Sequence, residues 1–267
     1  MEDMTPTVLT GWSLAALLFA AALLVPSALR RRAHLALAAM VVAGAVTLYS
    51  HDVMALPHIC AALITGGAIG LALGRGVPRS ALPALLAGLI GLAGLAALLL
   101  GGAAWRDPHA FGLLDDATDR LRVDAAAAMA AVIAWGAMAC AGAASILRRG
   151  PAGRGHVLTG GVMLLATGGL VWAFAATPEV GRLLACGGAA LFAGRGLTKR
   201  AMDAGTGPAL ALIGGFSGWA VAASAFLMEN MAMAVAGGLA GAAGSLFCAR
   251  LCGGPGRKGL ADAERHP

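Results

Sequence analysis

The chain has 267 residues, is 59% hydrophobic and only 12% charged, and carries a net charge of +6. Its mean hydropathy of +0.82 and a charged fraction about half that of soluble domains leave too little polar surface to enclose the apolar residues in water. The basic balance does not indicate nucleic acid, because the Lys and Arg residues sit in short loops between apolar runs and form no patch with stacking aromatics.

A helix needs roughly 20 apolar residues to cross a hydrocarbon core of about 30 Å, so the length admits about nine or ten spans. The N-terminus opens Met1-Glu2-Asp3-Met4 without the basic region of a cleaved signal, and the first apolar run is expected to be retained. Uninterrupted apolar runs place spans at 8–29, 33–50, 54–74, 81–104, 123–147, 156–176, 180–197, 208–228 and 231–251. The expected fold class is all-α, a polytopic membrane helix bundle of about nine transmembrane helices over residues 1–252. A short disordered cytoplasmic tail is expected at 253–267, where Gly, Pro and charged residues predominate.

In the third run, His58 follows Pro57 near the span's start. It is the one weak proton-relay candidate, although an interfacial histidine in contact with water explains the same position more simply. Further along, Gly66, Gly67, Gly70 and Gly74 form a stripe of small residues suited to close helix packing. The longest loop, Trp105 to Arg122, is acidic, with Asp107, Asp115, Asp116 and Asp119. Asp124 opens the fifth run, where a carboxylate suits the positive end of the helix dipole.

The seventh run is the weakest, since only Leu183 to Gly194 separates Arg182 from Arg195, and both would have to reach the interfaces. The distribution of basic residues argues for it. Basic loops stay on the cytoplasmic side, and with nine spans fifteen of the 19 Lys and Arg residues share one side, leaving Arg106, Arg120, Arg122 and Arg182 on the other. Omitting the seventh span would put the last basic loops outside. The N-terminus is therefore expected outside and the C-terminus in the cytoplasm.

The eighth run contains Phe216-Ser217-Gly218-Trp219-Ala220, and the ninth carries Gly237, Gly238, Gly241 and Gly244. Ser217, Gly218 and Trp219 read as a helix-packing motif. Five cysteines lie inside apolar runs and read as small packing residues; Cys248 and Cys252 are one turn apart, but no His or carboxylate completes a metal site with them. No phosphate loop, nucleophile triad or dinucleotide-binding glycine pattern is present, so no catalytic, cofactor-binding or metal residue is assigned.

Together these motifs resemble the membrane part of the β subunit of proton-translocating NAD(P) transhydrogenase. GGAIG at 66–70 is followed by a basic turn, Pro83 and Gly94-Leu95-Ala96-Ala97, and FSGWA at 216–220 precedes a second Gly/Ala-rich helix, as the family's SYSGWA-like segment does. The likeness is strongest over 54–104 and 208–252, and colinear through Arg154 and His156. It implies nine spans with the N-terminus outside, a homodimeric assembly as one option, and coupling of hydride transfer between NADH and NADP to proton passage; the Ala/Gly/Arg-rich composition suggests a bacterial source, and so a bacterial inner membrane.

The resemblance also implies departures. The family's soluble NADP-binding domain follows the last helix, whereas fifteen residues follow Cys252 here. NADP is then expected only if a partner supplies that domain, and transhydrogenase α-type and nucleotide-binding subunits are the implied partners beside membrane lipid. Counting from GGAIG, the family's buried histidine falls on Ile90, and an asparagine before the SGW segment falls on Gly214. The expectation is a degenerate or repurposed β subunit without redox activity of its own. A small-solute transporter or channel using the central seam, or a membrane scaffold, are the competing readings; the seam offers Thr65, Thr159, Thr167, Ser217 and Ser224 as its polar groups.

Overall fold

The computed structural model describes residues 6–24, parts of 35–46 and 61–72, 77–148 except 116, and 155–253. His58, Cys60, Gly74 and the tail from 254 lie outside the described residues. The chain divides into two compact units, Met1–Leu82 and Pro83–Pro267.

In the first unit, α1 runs from Pro6 to Leu24, with proline at the position where its missing N–H costs no helical bond. The described residues within 35–46 and 61–72 are helical as well. Gly11 meets Val46 so closely that an added Cβ would lie 2.5 Å from Val46 Cγ2.

In the second unit, six helices follow in sequence: α2 (Leu82–Arg106), α3 (Val123–Arg148), α4 (Gly155–Ala176), α5 (Val180–Met202), α6 (Thr206–Leu227) and α7 (Met231–Gly253). The runs of small and branched apolar residues produce long helices because a backbone in lipid must satisfy its own hydrogen bonds. Among the described residues, Leu82–Arg106, Val123–Arg148, Thr206–Leu227 and Met233–Cys252 are long and apolar enough to cross a membrane.

The contacts fix helix directions. Gly91 faces Ala143 and Gly101 faces Ile133, so α2 and α3 are antiparallel. Gly187 faces Ile133, Gly194 faces Met138 and Gly142 faces Thr198, so α3 and α5 advance together and are parallel. The ends of both are therefore on the same side of the bundle, and α4 returns the chain between them. Gly215 against Ser245, Gly218 against Gly241 and Gly237 against Ala222 make α6 and α7 antiparallel.

α3 is the central helix, with Ala126, Met129, Ala130, Val132 and Ala139 wholly enclosed. Its alanines follow from that position, since neighbours on several sides leave room for little more than a methyl group. α5 measures about 34 Å at ~1.5 Å per residue and packs along α3 and α4 for most of its length, with Leu183, Cys186, Ala190, Ala193 and Ala201 buried. The charges that make it unlike a span by composition are confined to its two ends. Arg182 does not stand free in solvent: its Nη1 donates to the Ala173 carbonyl at 2.9 Å and the Thr177 carbonyl at 3.3 Å, closing the C-terminal turn of α4.

The connection from α2 to α3 folds back on the bundle through a single bridge between Leu114 and Leu121, and buries Leu113. At the opposite end, α5 passes into α6 through Gly205, whose φ of 126° is closed to ordinary side chains.

Association in lipid rests on close packing, because acyl chains are as apolar as the helices they would replace. An added Cβ at Gly218 would run into the backbone of Gly241, whereas one at Gly214 meets nothing within 4 Å. Gly218→Val is accordingly expected to cost about 1–3 kcal/mol by overpacking and to lower the unfolding midpoint in detergent. Gly214→Ala is expected to leave that midpoint within a degree or so, as substitutions that touch nothing usually do.

Candidate functional site

The positions implied for proton transfer lie beside one apolar cluster. Ile90 of α2 packs against buried Ala87, Ala143, Ile146, Ala201, Ala209 and Ile213, which come from α2, α3, α5 and α6. Gly214 follows Ile213 in α6 and is partly exposed. The Cys248 thiol is a buried member of the cluster, and next to Ile90 the Cys140 thiol donates to the Gly91 carbonyl at 3.2 Å.

The hydroxyls inside the bundle are mostly spent on their own helices. Ser145 donates to the Ala141 carbonyl (2.8 Å), Thr167 to that of Met163 (2.7 Å), Ser224 to that of Ala220 (2.8 Å) and Ser245 to that of Gly241 (2.8 Å). Such bonds satisfy the hydroxyls of the buried Ser145, Thr167 and Ser224 without water, while Ser245 is exposed. The Thr198 hydroxyl, fully buried above Gly142, has no hydrogen-bond partner among the described residues.

The singled-out glycines and their neighbours fall into two settings. Gly66, Gly67 and Gly70 are exposed, and an added Cβ at each meets nothing within 4 Å among the described residues of their own unit. Gly218 and Trp219 lie in the α6–α7 contact. The Trp219 indole covers Gly241, and its Nε1 donates to the Ser245 hydroxyl at 3.3 Å, which donates in turn to the Gly241 carbonyl. Trp135 of α3 stacks beside both Phe216 and Trp219, with ring centroids 5.9 and 6.3 Å apart. Ser217 is partly exposed on the same helix. The roles of Trp135 and Ser245 were not evident from sequence; the only sign was their presence in runs already rich in small residues.

Cys248 and Cys252 approach to 3.9 Å between sulfurs and are both free. No group of three or more His, Cys, Asp or Glu residues suited to a metal occurs among the described residues.

Two clefts open at opposite ends of this unit. One, of about 650 Å³, lies beside the α2–α3 connection and is lined by Trp105, Pro108, Arg120, Met129, Thr177 and Glu179. The other, of about 260 Å³, lies between α3 and α5 and includes Arg148, Arg195 and Lys199. Near the larger cleft the connection is held by short-range polar contacts. Asp115 accepts from the Thr118 hydroxyl at 3.1 Å and from the Thr118 and Ala117 amides at 3.0 Å each. The Thr118 hydroxyl, then these amides, hold its carboxyl below the usual carboxylate range. Arg122 pairs with Asp124, and His109 lies 3.5 Å from Asp119.

Long apolar helices packed through glycine, with cations gathered at helix ends, define a polytopic helical membrane protein. The sequence profile of the NAD(P) transhydrogenase beta subunit matches residues 10–260, and the chain belongs to that family. It is similar to the beta subunit of NAD(P) transhydrogenase from Rhodospirillum rubrum, at 35% identity over 88 residues, which are 33% of this chain and 19% of that protein. The beta subunit of the strain ATCC 11170 of the same species matches to the same extent. The chain thus matches about a fifth of the length of these curated relatives.

The Asp115 contacts yield a pH dependence with a definite sign. A carboxyl whose pKa is lowered by folding stabilises the folded loop above its unfolded pKa of about 3.9, and that contribution disappears as pH falls through the lower folded value. Tryptic cleavage at Arg120 and Arg122 is therefore expected to be faster in Asp115→Ala than in the parent at neutral pH. Amide exchange at Ala117 and Thr118 in the parent should stay slower than the intrinsic rate at neutral pH and approach it only in strong acid.

Proposed function

We propose that the chain is the membrane-embedded β-type component of a transhydrogenase system, acting as a helical scaffold that conducts no protons along the Ile90–Gly214 seam. The observation that carries this reading is the packing of Ile90 into an apolar cluster with Ala143 and Ile213. A side chain that relays protons must ionise or hydrogen-bond at the pH of operation, and an isoleucine does neither. The Ser145 hydroxyl donates to the carbonyl of Ala141 in its own helix, which fixes its proton there, and the buried Thr198 hydroxyl beside Gly142 has no hydrogen-bonded chain leading from it among the described residues. The close apolar packing of the cluster disfavours a solute channel through this seam.

In this reading the protein crosses a bacterial plasma membrane nine times, with its N-terminus outside and its basic helix ends in the cytoplasm. NADP is held by a soluble nucleotide-binding domain and not by the helices, and an α-type subunit associates with the bundle. Support for the orientation comes from Arg148, Arg195, Lys199 and Arg200, which the parallel course of α3 and α5 gathers at one end. His58 remains the one titratable candidate of the third span and lies outside the described residues.

Reconstitution tests the proposal. Proteoliposomes under an imposed potential, followed with an internal pH dye, are expected to take up protons no faster than empty vesicles, and His58→Ala should change nothing. Uptake that rises in proportion to protein would overturn the reading. Purification in mild detergent is expected to recover α-type and nucleotide-binding chains, whereas a reproducibly lone, monodisperse protein would count against the association.

Orientation is tested separately. An alkaline-phosphatase fusion within 107–122 is expected to be active and one at 203–205 inactive; the reverse pattern would invert the assignment.

A further inference from the structure

The smaller cleft has a polarity gradient that a phospholipid would match. Arg148 occupies the last turn of α3, while Arg195 and Lys199 lie one turn apart near the end of α5. These cations face one cleft of about 260 Å³, and no acidic side chain lines it. None of the ion pairs among the described residues engages Arg148 or Arg195. Lys199 is only 8% exposed and has an interaction of its own, so its ammonium contributes mainly field.

Three like charges around one cleft repel one another, and the repulsion grows where water is partly excluded. An anion between the two guanidinium groups would remove it, and arginine's planar donors suit phosphate oxygens. The Ser145 hydroxyl is already committed to Ala141 and supplies no donor.

One helical turn away from the cations, both walls become apolar. On α5 that turn carries Leu191 and Phe192, which are 44% and 61% exposed, and on α3 it carries Ala141 and Ala144. The exposed apolar side chains provide a track for an acyl chain, and the alanines keep the opposite wall shallow. A free phosphate would gain nothing from this track. A zwitterionic headgroup would place its ammonium against three cations with no carboxylate to receive it. Basic pockets between transmembrane helices on the cytoplasmic side are known to take anionic headgroups for the same physical reasons.

We propose that the cleft between α3 and α5 binds an anionic phospholipid, with its phosphate between Arg148 and Arg195 and an acyl chain along Leu191 and Phe192. The proposal requires only that the bundle sits in a bilayer and is independent of whether the chain conducts protons.

The test uses the full chain, purified in mild detergent, with bound lipid measured by native mass spectrometry and by extraction. The parent is expected to retain about one phosphatidylglycerol-class lipid per chain, and the Arg148→Gln/Arg195→Gln pair to retain about tenfold less or lower, given ~1 kcal/mol per basic residue. Arg148→Lys/Arg195→Lys keeps the charge and should keep most of the lipid, which separates loss of the site from loss of the fold. In mixed micelles, phosphatidylglycerol should raise the unfolding midpoint of the parent but not of the Gln pair, while phosphatidylcholine should raise neither. Equal stabilisation by inorganic phosphate alone would overturn the lipid assignment in favour of a free anion. Retention of lipid undiminished in the Gln pair would overturn the site itself.

Discussion

The bundle depends on the absence of side chains at a few helix crossings. In water, burial of apolar surface would draw these helices together, but in lipid that drive is nearly lost and contact must be won by shape. Gly94 and Gly136 oppose each other across α2 and α3, Gly194 sits on the backbone of Met138, and Gly218 on that of Gly241. Each pair lets two helix backbones come closer than any Cβ would permit. The close approach brings many dispersion contacts that are small singly and large in sum. The alanines of α3 extend the same solution over a whole helix, which is why α3 can serve as the centre of the unit.

Close packing of that kind constrains where charge can go. With the middle of the bundle filled by Ala, Gly and a few aromatic rings, the basic residues of α5 lie toward its ends, Arg182 in the first turn and Arg195, Lys199 and Arg200 within the last two turns. Arg182 is used at one end to satisfy carbonyls at the terminus of α4. At the other end Arg195, Lys199 and Arg200 join Arg148 because α3 and α5 are parallel. The register of its charges leaves the middle of this helix apolar and packed against its neighbours.

Much of this architecture is legible in the sequence, because hydropathy runs report helices directly when the solvent is lipid. The run at 123–147 and α3 at Val123–Arg148 differ by a single residue. Partners are less legible. Gly214 and Gly218 are both glycines of one helix one turn apart, yet only Gly218 meets another backbone. That difference is set by the rotation of α6 about its axis, which a helix so uniformly apolar does not encode by periodicity. The Trp219–Ser245 bond and the stacking of Trp135 are illegible for the same reason, since they join residues far apart in sequence on helices without distinct faces. The docking of Leu113 onto the core was also hidden, because an acidic loop reads as solvated and one buried leucine does not alter its composition.

Family membership and activity therefore rest on different residues. The closest helix crossings of the second unit use backbone, alanine and aromatic rings. Replacing a buried polar side chain by a well-packed apolar one is often neutral or stabilising, since the cost of desolvating it is removed. Ile90 packs against an apolar cluster that includes Ala143, Ile146 and Ile213, which suits an apolar side chain at that position. Packing of this kind accepts an apolar residue at such a position without loss of the helices. Function in a fold resides in particular side chains grafted onto the scaffold, and here the scaffold's own energetics place no demand on those side chains.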